Sequence, residues 1–228
     1  MQQVTWGPEG AENQSLVRDP DYSNAPFVLH TVANGSGGSR FSPGTRIDGQ
    51  AFTVAAGSVI LTEVLYDAVG ADGGLEWLEL FNTTAASIDL AGLCVGNGGS
   101  DYTTSLVSLD GATIGPGATL VVGGPTSSAD NGSPVFDLVV DFSPDFQNSG
   151  ADADGVALFN VACSQVTPAT VPIDAVVYGP VNSNGLIDET GVANPPEVGD
   201  APSGQSIERL DVAGNWHVQS VPTPNSFP

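Results

Sequence analysis

Five carboxylates lie within an otherwise apolar stretch between positions 60 and 82, and they are the side chains best placed to do chemistry. They are Glu63, Asp67, Asp72, Glu76 and Glu79, and Leu, Val, Trp and Phe residues stand between them. An ionised carboxylate in apolar surroundings needs hydrogen bonds, a cation or a metal ion as its partner. The pattern therefore indicates either a buried ion pair or an oxygen-rich metal site.

The stretch consists of two strand-like runs separated by a turn rich in Gly and Asp, which predicts a β-hairpin. If residue 67 pairs with residue 75, Glu63 lies opposite Glu79 on one face of the hairpin. That face is also expected to carry Leu61, Leu65, Trp77 and Phe81. Two like charges in register destabilise a sheet unless a counter-ion lies between them. We expect Arg209 to supply it in a structural ion pair, because a guanidinium holds a carboxylate through two parallel hydrogen bonds.

Calcium is the alternative partner for these acids. The turn supplies Asp67 and Asp72, and Glu76 falls on the opposite strand face from Glu79, so these three are the candidate calcium ligands. A second loop, Asn182-Ser-Asn184-Gly185-Leu-Ile-Asp188-Glu189, also alternates oxygen-bearing side chains around a turn glycine. Its first positions are neutral, which favours a solvated loop at that place.

Composition favours an all-β chain. The 228 residues are 40% hydrophobic, enough to bury a core, and 29 Gly and 17 Pro favour short strands joined by tight turns. Strand candidates from position 59 onwards have the spacing of an immunoglobulin-like β-sandwich. They cover residues 59–66, 75–82, 88–95, 105–109, 118–122, 136–140, 156–160, 175–178, 206–210 and 215–218.

The formal charge of −22, with four basic residues that are all Arg, excludes one class of partner. Such a field repels phosphate polyanions, so nucleic-acid binding is not expected. No apolar run is long enough to span a bilayer, and residues 1–4 lack the basic and apolar segments of a signal peptide. We expect the chain to be a piece of a longer secreted protein.

Catalytic signatures are missing from the sequence. It contains no Gly-x-Ser-x-Gly elbow, no His-Glu-x-x-His motif and no phosphate-cradling glycine loop. His30 and His217 fall at what look like equivalent positions of an internal repeat, as a structural role would produce. Trp6, Trp77 and Trp216 occupy alternating positions typical of a sandwich core. We therefore predict no enzymatic activity.

Cys94 and Cys163 are the two cysteines, and neither belongs to a Cys-x-x-Cys or Cys/His cluster. A single disulfide between them is the prediction, with two buried free thiols as the alternative. A bond that closes so long a loop would be worth about 3–5 kcal/mol and fits an oxidising compartment.

The N-terminal segment repeats the C-terminal one. Gln14-Ser-Leu-Val-Arg18-Asp parallels Gln205-Ser-Ile-Glu-Arg209-Leu, and residues 27–30 parallel residues 216–218. Tandem self-similarity of this kind is typical of arrays of extracellular modules. We predict that residues 1–52 form a β segment equivalent to the closing strands of a preceding copy, and that residues 53–228 form a complete domain.

A further set of residues carries a family resemblance. The set is Glu63-Val64, Tyr66-Asp67, Gly70, Asp72, Glu76-Trp77-Leu78-Glu79-Leu80, Asn82, Ile88-Asp89-Leu90-Ala91-Gly92, Pro116-Gly117, Asn148-Ser149-Gly150 and Ser206-Ile207-Glu208-Arg209. In this pattern the sequence resembles the bacterial lamin-tail domain, an immunoglobulin-like β-sandwich. An insertion at residues 180–202 lengthens the last connection.

The resemblance implies a non-catalytic module of secreted and cell-surface bacterial proteins, often tandem or joined to nucleases and phosphatases. We accordingly expect a structural or binding module with a protein or surface partner, and a second copy reached by β-strand addition is one such partner. The alternative is a calcium-dependent accessory or targeting domain of a larger secreted hydrolase. Both interpretations place the chain outside the cell.

Overall fold

The computed structural model describes residues 13–19, 26–42, 47, 54–148 and 150–227. The chain divides into two compact units, Met1–Thr53 and Val54–Pro228. Its described helical turns are short 3-10 segments at His30–Val32, Ala129–Asn131 and Cys163–Gln165, and the other regular elements are strands. The all-β prediction is confirmed. Trp6 lies outside the described residues.

The first unit contains an antiparallel hairpin of β1 (Leu16–Arg18) and β2 (Phe27–Leu29). Leu16 stands opposite Leu29, and Arg18 stands opposite Phe27. The Arg18 guanidinium lies 4.5 Å from the centre of the Phe27 ring. At this distance the cation is attracted by the face of the ring, which adds to the backbone pairing of the hairpin.

The second unit contains two larger sheets. Its strands are β3 (Val59–Leu65), β4 (Trp77–Asn82), β5 (Ile88–Asp89), β6 (Cys94–Gly98), β7 (Ser105–Ser108), β8 (Thr113–Ile114), β9 (Thr119–Gly123), β10 (Leu138–Val139), β11 (Asp154–Phe159), β12 (Asp174–Tyr178), β13 (Ser206–Arg209) and β14 (Trp216–Gln219). A six-stranded sheet has the order β10-β9-β4-β3-β13-β14, and a four-stranded sheet has the order β12-β11-β6-β7. This arrangement confirms the prediction of an immunoglobulin-like β-sandwich.

The main core is formed by the inward-facing residues of both sheets. Val64 and Leu78 of the six-stranded sheet belong to the same buried cluster as Val156 of the four-stranded sheet. Tyr66 and Tyr178 stack at the centre, with ring centroids 4.0 Å apart and planes 11° apart. Side chains alternate between the two faces along each strand, so one set of apolar side chains points inward. Packing between these inward faces holds the two sheets together.

The outer faces of both sheets are covered as well. On the six-stranded sheet, Trp77 packs with Leu65 and Val121, and its Nε1 donates to the Asn131 carbonyl oxygen at 3.1 Å. On the four-stranded sheet, the insertion at residues 180–202 contributes Leu186 to a second buried cluster. Strands buried on both faces explain why their sequences are apolar almost without interruption.

The predicted disulfide is confirmed. Cys94 of β6 is bonded to Cys163, which begins the short 3-10 segment after β11, and the two are 69 positions apart in sequence. The bond joins the four-stranded sheet to a surface segment and leaves no free cysteine in the chain.

The hairpin of β3 and β4 differs from the prediction in one detail. Its register shifts between Leu61 and Glu63, which leaves Thr62 as an extra residue in β3. Because of this bulge, Leu61 and Val64 both face the main core. The prediction that Leu61 shares a face with Glu63 is therefore wrong, whereas Glu63 does stand opposite Glu79.

The closing hairpin β13–β14 has the same register as β1–β2. Arg209 stands opposite Trp216, and its guanidinium lies 5.2 Å from the centre of that ring, as Arg18 lies over Phe27. By this register His217 corresponds to Val28. The prediction that His30 and His217 are equivalent is wrong.

Among the described residues, no helix is long and apolar enough to cross a membrane.

Candidate functional site

Three glutamates form a row on the outer face of the six-stranded sheet. Glu208 of β13 stands opposite Glu63 of β3, and Glu63 stands opposite Glu79 of β4. We call these three residues the glutamate row. Glu63 and Glu79 are 1% and 0% exposed, and Glu208 is 8% exposed. The row is thus an array of like charges in register, buried where a sheet would normally carry apolar or paired side chains.

Residues 220–227, here called the C-terminal strap, cover the row. The Thr223 backbone N–H donates to Glu63 Oε1 at 2.9 Å. Thr223 Oγ1 lies 3.4 Å from Glu63 Oε2 and 3.1 Å from Glu208 Oε1. Ser206 of β13 also donates its hydroxyl to Glu63 Oε1. The strap is therefore bound to the sheet through the carboxyl groups themselves.

Further contacts hold the strap at its far end. Asn225 accepts from the Val135 N–H at 2.9 Å and donates to the Val135 carbonyl oxygen at 2.8 Å. The Phe227 ring lies 4.8 Å from the Phe81 ring. Gly132 has a φ of 84°, and a Cβ there would come within 2.9 Å of Pro222. Glycine at this position allows the strap to pack closely against the loop of residues 124–137.

The outer members of the row have different surroundings. Glu208 Oε2 accepts from Gln219 Nε2 at 2.9 Å and lies 2.9 Å from His217 Nε2. Glu79 Oε1 accepts from the Thr62 hydroxyl at 2.8 Å, which gives the bulged residue a structural role. Glu79 Oε2 is buried without a hydrogen-bond partner.

Protonation takes the place of a counter-ion in this row. Burial raises the pKa of Glu63 to about 7, although hydrogen bonds from Ser206 and Thr223 oppose the shift. Burial likewise raises the pKa of Glu79 to about 8, and the charge of Glu63 adds to the effect. The Thr62 hydroxyl and the backbone N–H groups of Asn225 and Ser226 in the strap oppose this rise in pKa. Desolvation disfavours the charged form of a carboxyl group, so the protonated form of both groups is favoured well above the ordinary glutamate value of 4.5.

Arg209 does not serve the glutamate row, and the predicted ion pair with Glu63 and Glu79 is wrong. Its Nη2 lies 2.7 Å from Asp174 Oδ1, with both side chains buried. Side chains alternate along β13, so Arg209 shares the inward face with Ile207, while Glu208 points outward.

Asp174 therefore holds a second buried acid site, between the two sheets. Its Oδ2 accepts from the Leu61 N–H at 2.6 Å, and Leu61 is the residue before the bulge. Burial raises the pKa of Asp174 to about 6, against the opposing effect of Arg209 and of the Leu61 N–H. The group remains ionised at neutral pH, and the pair joins β12 of one sheet to β13 of the other.

The turn acids proposed as calcium ligands have partners of their own. Asp72 accepts from the Ala68 N–H at 3.1 Å, and Glu76 Oε2 accepts from the Phe146 N–H at 2.8 Å. Glu76 Oε1 is buried without a partner. Burial raises the pKa of Glu76 to about 9, and the charges of Asp145, Asp72 and Asp141 add to the shift.

In the described part of the chain, no three His, Cys, Asp or Glu side chains are grouped so that they could hold a metal ion. Calcium binding by Asp67, Asp72 and Glu76 stays a prediction. The structure adds Asp141 and Asp145 to the surroundings of Glu76. Sequence reasoning missed these two, because they lie more than sixty positions further along the chain.

The second calcium candidate, the loop of residues 182–189, is an internally bonded turn. The Asp188 side chain accepts from the Thr190 N–H at 2.8 Å and from Asn194. Burial opposes the ionised form, but the hydrogen bonds from Thr190 and Asn194 outweigh it and lower the pKa of Asp188. Asn182 donates to the Leu186 carbonyl oxygen at 2.7 Å and closes the loop.

Three residues of the two acid sites were missed by sequence reasoning. They are Glu208, Thr223 and Asp174. Alternation along Ser206-Ile207-Glu208 does place Glu208 on the face opposite to Ile207, and this was the available signal. The pairing of β13 with β3 joins positions more than 140 residues apart, and nothing local in the sequence indicates it.

Comparison with known proteins agrees with the architecture. A search of curated proteins found no match to the chain. A family model described as the Lamin Tail Domain matches residues 53–189, which is more than half of the chain. The match ends before β13 and β14, which nevertheless belong to the six-stranded sheet. With its immunoglobulin-like sandwich, the chain is therefore a member of the lamin-tail domain family.

Proposed function

We propose that this chain is a non-catalytic structural and binding module of a secreted or cell-surface bacterial protein, and that it assembles by β-strand addition through the N-terminal hairpin β1–β2. Membership of the lamin-tail domain family supports the structural and binding role. The Cys94–Cys163 disulfide supports an oxidising, extracellular compartment.

The shared register of the two hairpins carries the strand-addition proposal. In the second unit, β13 uses its other edge to pair with β3, where Ile207 stands opposite Val64. Leu16 is the residue of β1 that corresponds to Ile207. A hairpin of this type is thus the closing pair of a sheet, and its β1 edge fits a strand such as β3.

The direction of the backbone groups of β1 among the described residues supports this pairing. The His30 N–H donates to the Ser15 carbonyl oxygen at 2.9 Å, so these two groups face each other across the hairpin, while the Ser15 N–H donates to the Arg40 carbonyl oxygen at 3.0 Å. In an antiparallel ladder the next pair, Leu16 and Leu29, directs its N–H and C=O groups away from the partner strand. Leu16 therefore presents backbone groups to an added strand, and main-chain hydrogen bonds are what give affinity in such complexes.

The partner that fits this edge is an edge strand of another copy with an apolar character like that of β3, because β3 itself is already paired with β4 and β13. β3 is apolar on both faces apart from Thr62 and Glu63. Leu16 and Val17 are half-buried and would be covered further by such a strand. The sheet would then continue from one copy to the next, as the tandem repeat in the sequence suggests.

Light scattering on the full chain over a range of concentrations tests this proposal. We expect the mass to rise above that of the monomer with concentration, and Leu16→Pro to abolish the rise by removing the outward N–H. Leu16→Ala keeps the N–H and is the matched control, which should still assemble. A monomeric wild type at every concentration, or equal assembly by Leu16→Pro, would contradict the proposal.

A calcium-dependent accessory role in a larger secreted hydrolase is the second candidate. The observation that favours it is Glu76 Oε1, which is buried without a partner, and whose carboxyl group has its pKa raised by burial and by the charges of Asp145, Asp72 and Asp141. Calcium prefers carboxylate oxygens and would satisfy this atom.

Calorimetric titration of calcium into chelator-treated protein tests the second candidate. We expect heat and a rise in melting temperature in the wild type, and neither in a variant that combines Asp67→Asn with Asp72→Asn. Asp110→Asn, a change at an exposed aspartate outside both candidate loops, should bind like the wild type. No heat and no melting shift in the wild type would remove the candidate.

A further inference from the structure

The Thr223 hydroxyl has two carboxyl oxygens near it but only one hydrogen to donate. Thr223 Oγ1 lies within reach of Glu63 Oε2 at 3.4 Å and of Glu208 Oε1 at 3.1 Å. A hydroxyl carries one hydrogen and can donate to only one of these oxygens. If both carboxyl groups were ionised, the other oxygen would face a lone pair in a buried place, which is unfavourable. The arrangement therefore favours a proton on one of the two glutamates.

Glu63 is the group that holds this proton. Its Oε1 already accepts from the Ser206 hydroxyl and the Thr223 N–H, so Oε2 is the oxygen left to carry hydrogen. Glu208, in contrast, has Gln219 and His217 at its Oε2, so its Oε1 is the oxygen that accepts from the Thr223 hydroxyl. The result is a continuous chain in which Glu63 Oε2–H donates to Thr223 Oγ1, and the Thr223 hydroxyl donates to Glu208 Oε1.

We propose that the C-terminal strap is a proton-dependent latch, closed over the glutamate row while Glu63 holds a proton and released when Glu63 and Glu79 ionise. This inference is independent of the proposed strand addition, which involves the first unit. It assigns residues 220–227 a conformational role that neither the family match nor the sequence pattern indicates.

Among the described residues, few positively charged groups lie near the glutamate row, so protons are the main means of neutralising its carboxyl groups. Glu79 faces Glu63 from β4 and Glu208 faces it from β13, while His217 of β14 is the one described basic group in contact with the row. Residues 220–227 contain no acidic or basic side chain. Arg209 lies on the opposite face of the sheet with Asp174. Ionisation of Glu63 and Glu79 would therefore place like charges in register directly beneath the strap.

The direction of the pH dependence follows from where the protons are held. Burial raises the pKa of Glu63 to about 7 and that of Glu79 to about 8, whereas the ordinary value is 4.5. Below about pH 4.5 both the closed and the open states are protonated, so closure is most favourable there. As the pH rises towards 7 and 8, the open state releases protons that the closed state retains, and closure becomes progressively weaker.

Release of the strap would uncover a defined part of the surface. Thr223 would leave Glu63 and Glu208, Asn225 would leave the Val135 backbone, and Phe227 would leave Phe81. The outer face of β13, β3 and β4 would become accessible, while the main core between the sheets would stay closed.

Amide hydrogen exchange on the full chain, read by mass spectrometry at pH 5 and pH 8 and corrected for intrinsic rates, tests the latch. We expect protection of residues 220–227 to fall between the two pH values by a factor on the order of 100 from Glu63 alone, whose pKa is raised from 4.5 to about 7, and by more if Glu79 contributes fully. Protection of β4 should change much less. Glu63→Gln should keep the strap protected at pH 8, because the amide still donates to Thr223 Oγ1.

Two more variants make the outcome decisive. Thr223→Val removes the connecting hydroxyl and should leave the strap weakly protected at both pH values. Glu76→Gln changes a buried glutamate that does not touch the strap, and its strap should respond to pH as in the wild type. Equal strap protection at pH 5 and pH 8 in the wild type would overturn the latch. So would a wild-type response in Thr223→Val, which is the deciding variant if Glu63→Gln fails to fold.

Discussion

Two buried acid sites of the same sandwich are neutralised in different ways. Between the sheets, Asp174 is paired with Arg209 at 2.7 Å and remains ionised at neutral pH. On the outer face, the glutamate row has hydrogen bonds, His217 at its edge and protons. The comparison shows that a fixed guanidinium makes a buried carboxylate insensitive to neutral pH, whereas a row without one becomes a pH-dependent element.

The composition explains why the glutamate row has no guanidinium counter-ion among the described residues. The chain has 26 acidic residues and only four basic ones. Arg209 is one of the four and is committed to Asp174. With so few cations available, burial of several glutamates requires the protonated form, and the stability of the second unit becomes linked to pH.

Loss of the Arg209 guanidinium should produce the largest decrease in unfolding free energy among the changes compared. Arg209→Met leaves Asp174 buried without its cation, and we expect a loss of about 3–5 kcal/mol in unfolding free energy. Urea denaturation at pH 7 measures it. Adding Asp174→Asn removes the unpaired charge and keeps an acceptor for the Leu61 N–H, so the double variant should recover most of the loss. Equal instability of the single and double variants would mean that charge pairing is not the cause.

Removal of the disulfide should lower the unfolding free energy by nearly as much, and this loss should not depend on pH. Replacing Cys94 and Cys163 by Ala together should lower the unfolding free energy by about 2–4 kcal/mol, because the unfolded chain is no longer constrained. The dependence of stability on pH should be unchanged, since neither residue touches the glutamate row. A changed pH profile in this variant would show that the two features are coupled.

Neutralising one glutamate should stabilise the protein in a pH-dependent way. Glu79→Gln removes a group whose pKa is raised from 4.5 to about 8. In the wild type, folding holds its proton while the unfolded chain loses it, so stability declines as pH rises from about 4.5 towards 8. We expect the variant to gain about 1–2 kcal/mol at pH 8 and little at pH 5, by urea denaturation. Glu189→Gln should gain nothing at either pH.

The smallest expected effect concerns the cation–π contact between Arg18 and Phe27. Phe27→Leu removes the ring beneath Arg18 in the first unit. Phe27 is 38% exposed, so we expect a loss of about 0.5 kcal/mol in unfolding free energy, or a melting shift near the limit of detection by calorimetry. A loss as large as that of Arg209→Met would contradict the distinction between exposed and buried guanidinium contacts.

The hairpin of β3 and β4 could be predicted from sequence because its pairing is local. A turn rich in Gly and Asp fixed the register, and Glu63 does stand opposite Glu79. The bulge at Thr62 has no sequence signature, and it turned Leu61 inward. Local alternation is therefore a reliable guide only while the strand stays regular.

Contacts between residues that are distant in the sequence could not be predicted from the sequence. Arg209 was correctly expected to bind a buried acid, but its partner depended on which face of β13 it occupies and on which strand of the other sheet approaches. Asp174 comes from β12, and Thr223 comes from a segment that pairs with no strand in the described structure. Neither contact follows from periodicity, because both depend on how distant segments pack in three dimensions.

Carboxyl carbon NMR across pH 3 to 10 tests most directly whether protons neutralise the glutamate row. Assigned signals of Glu63 and Glu79 should titrate near pH 7 and pH 8, well above the ordinary glutamate value of 4.5. Titration of Glu63 and Glu79 at that ordinary value would contradict the proposed protonation and, with it, the latch.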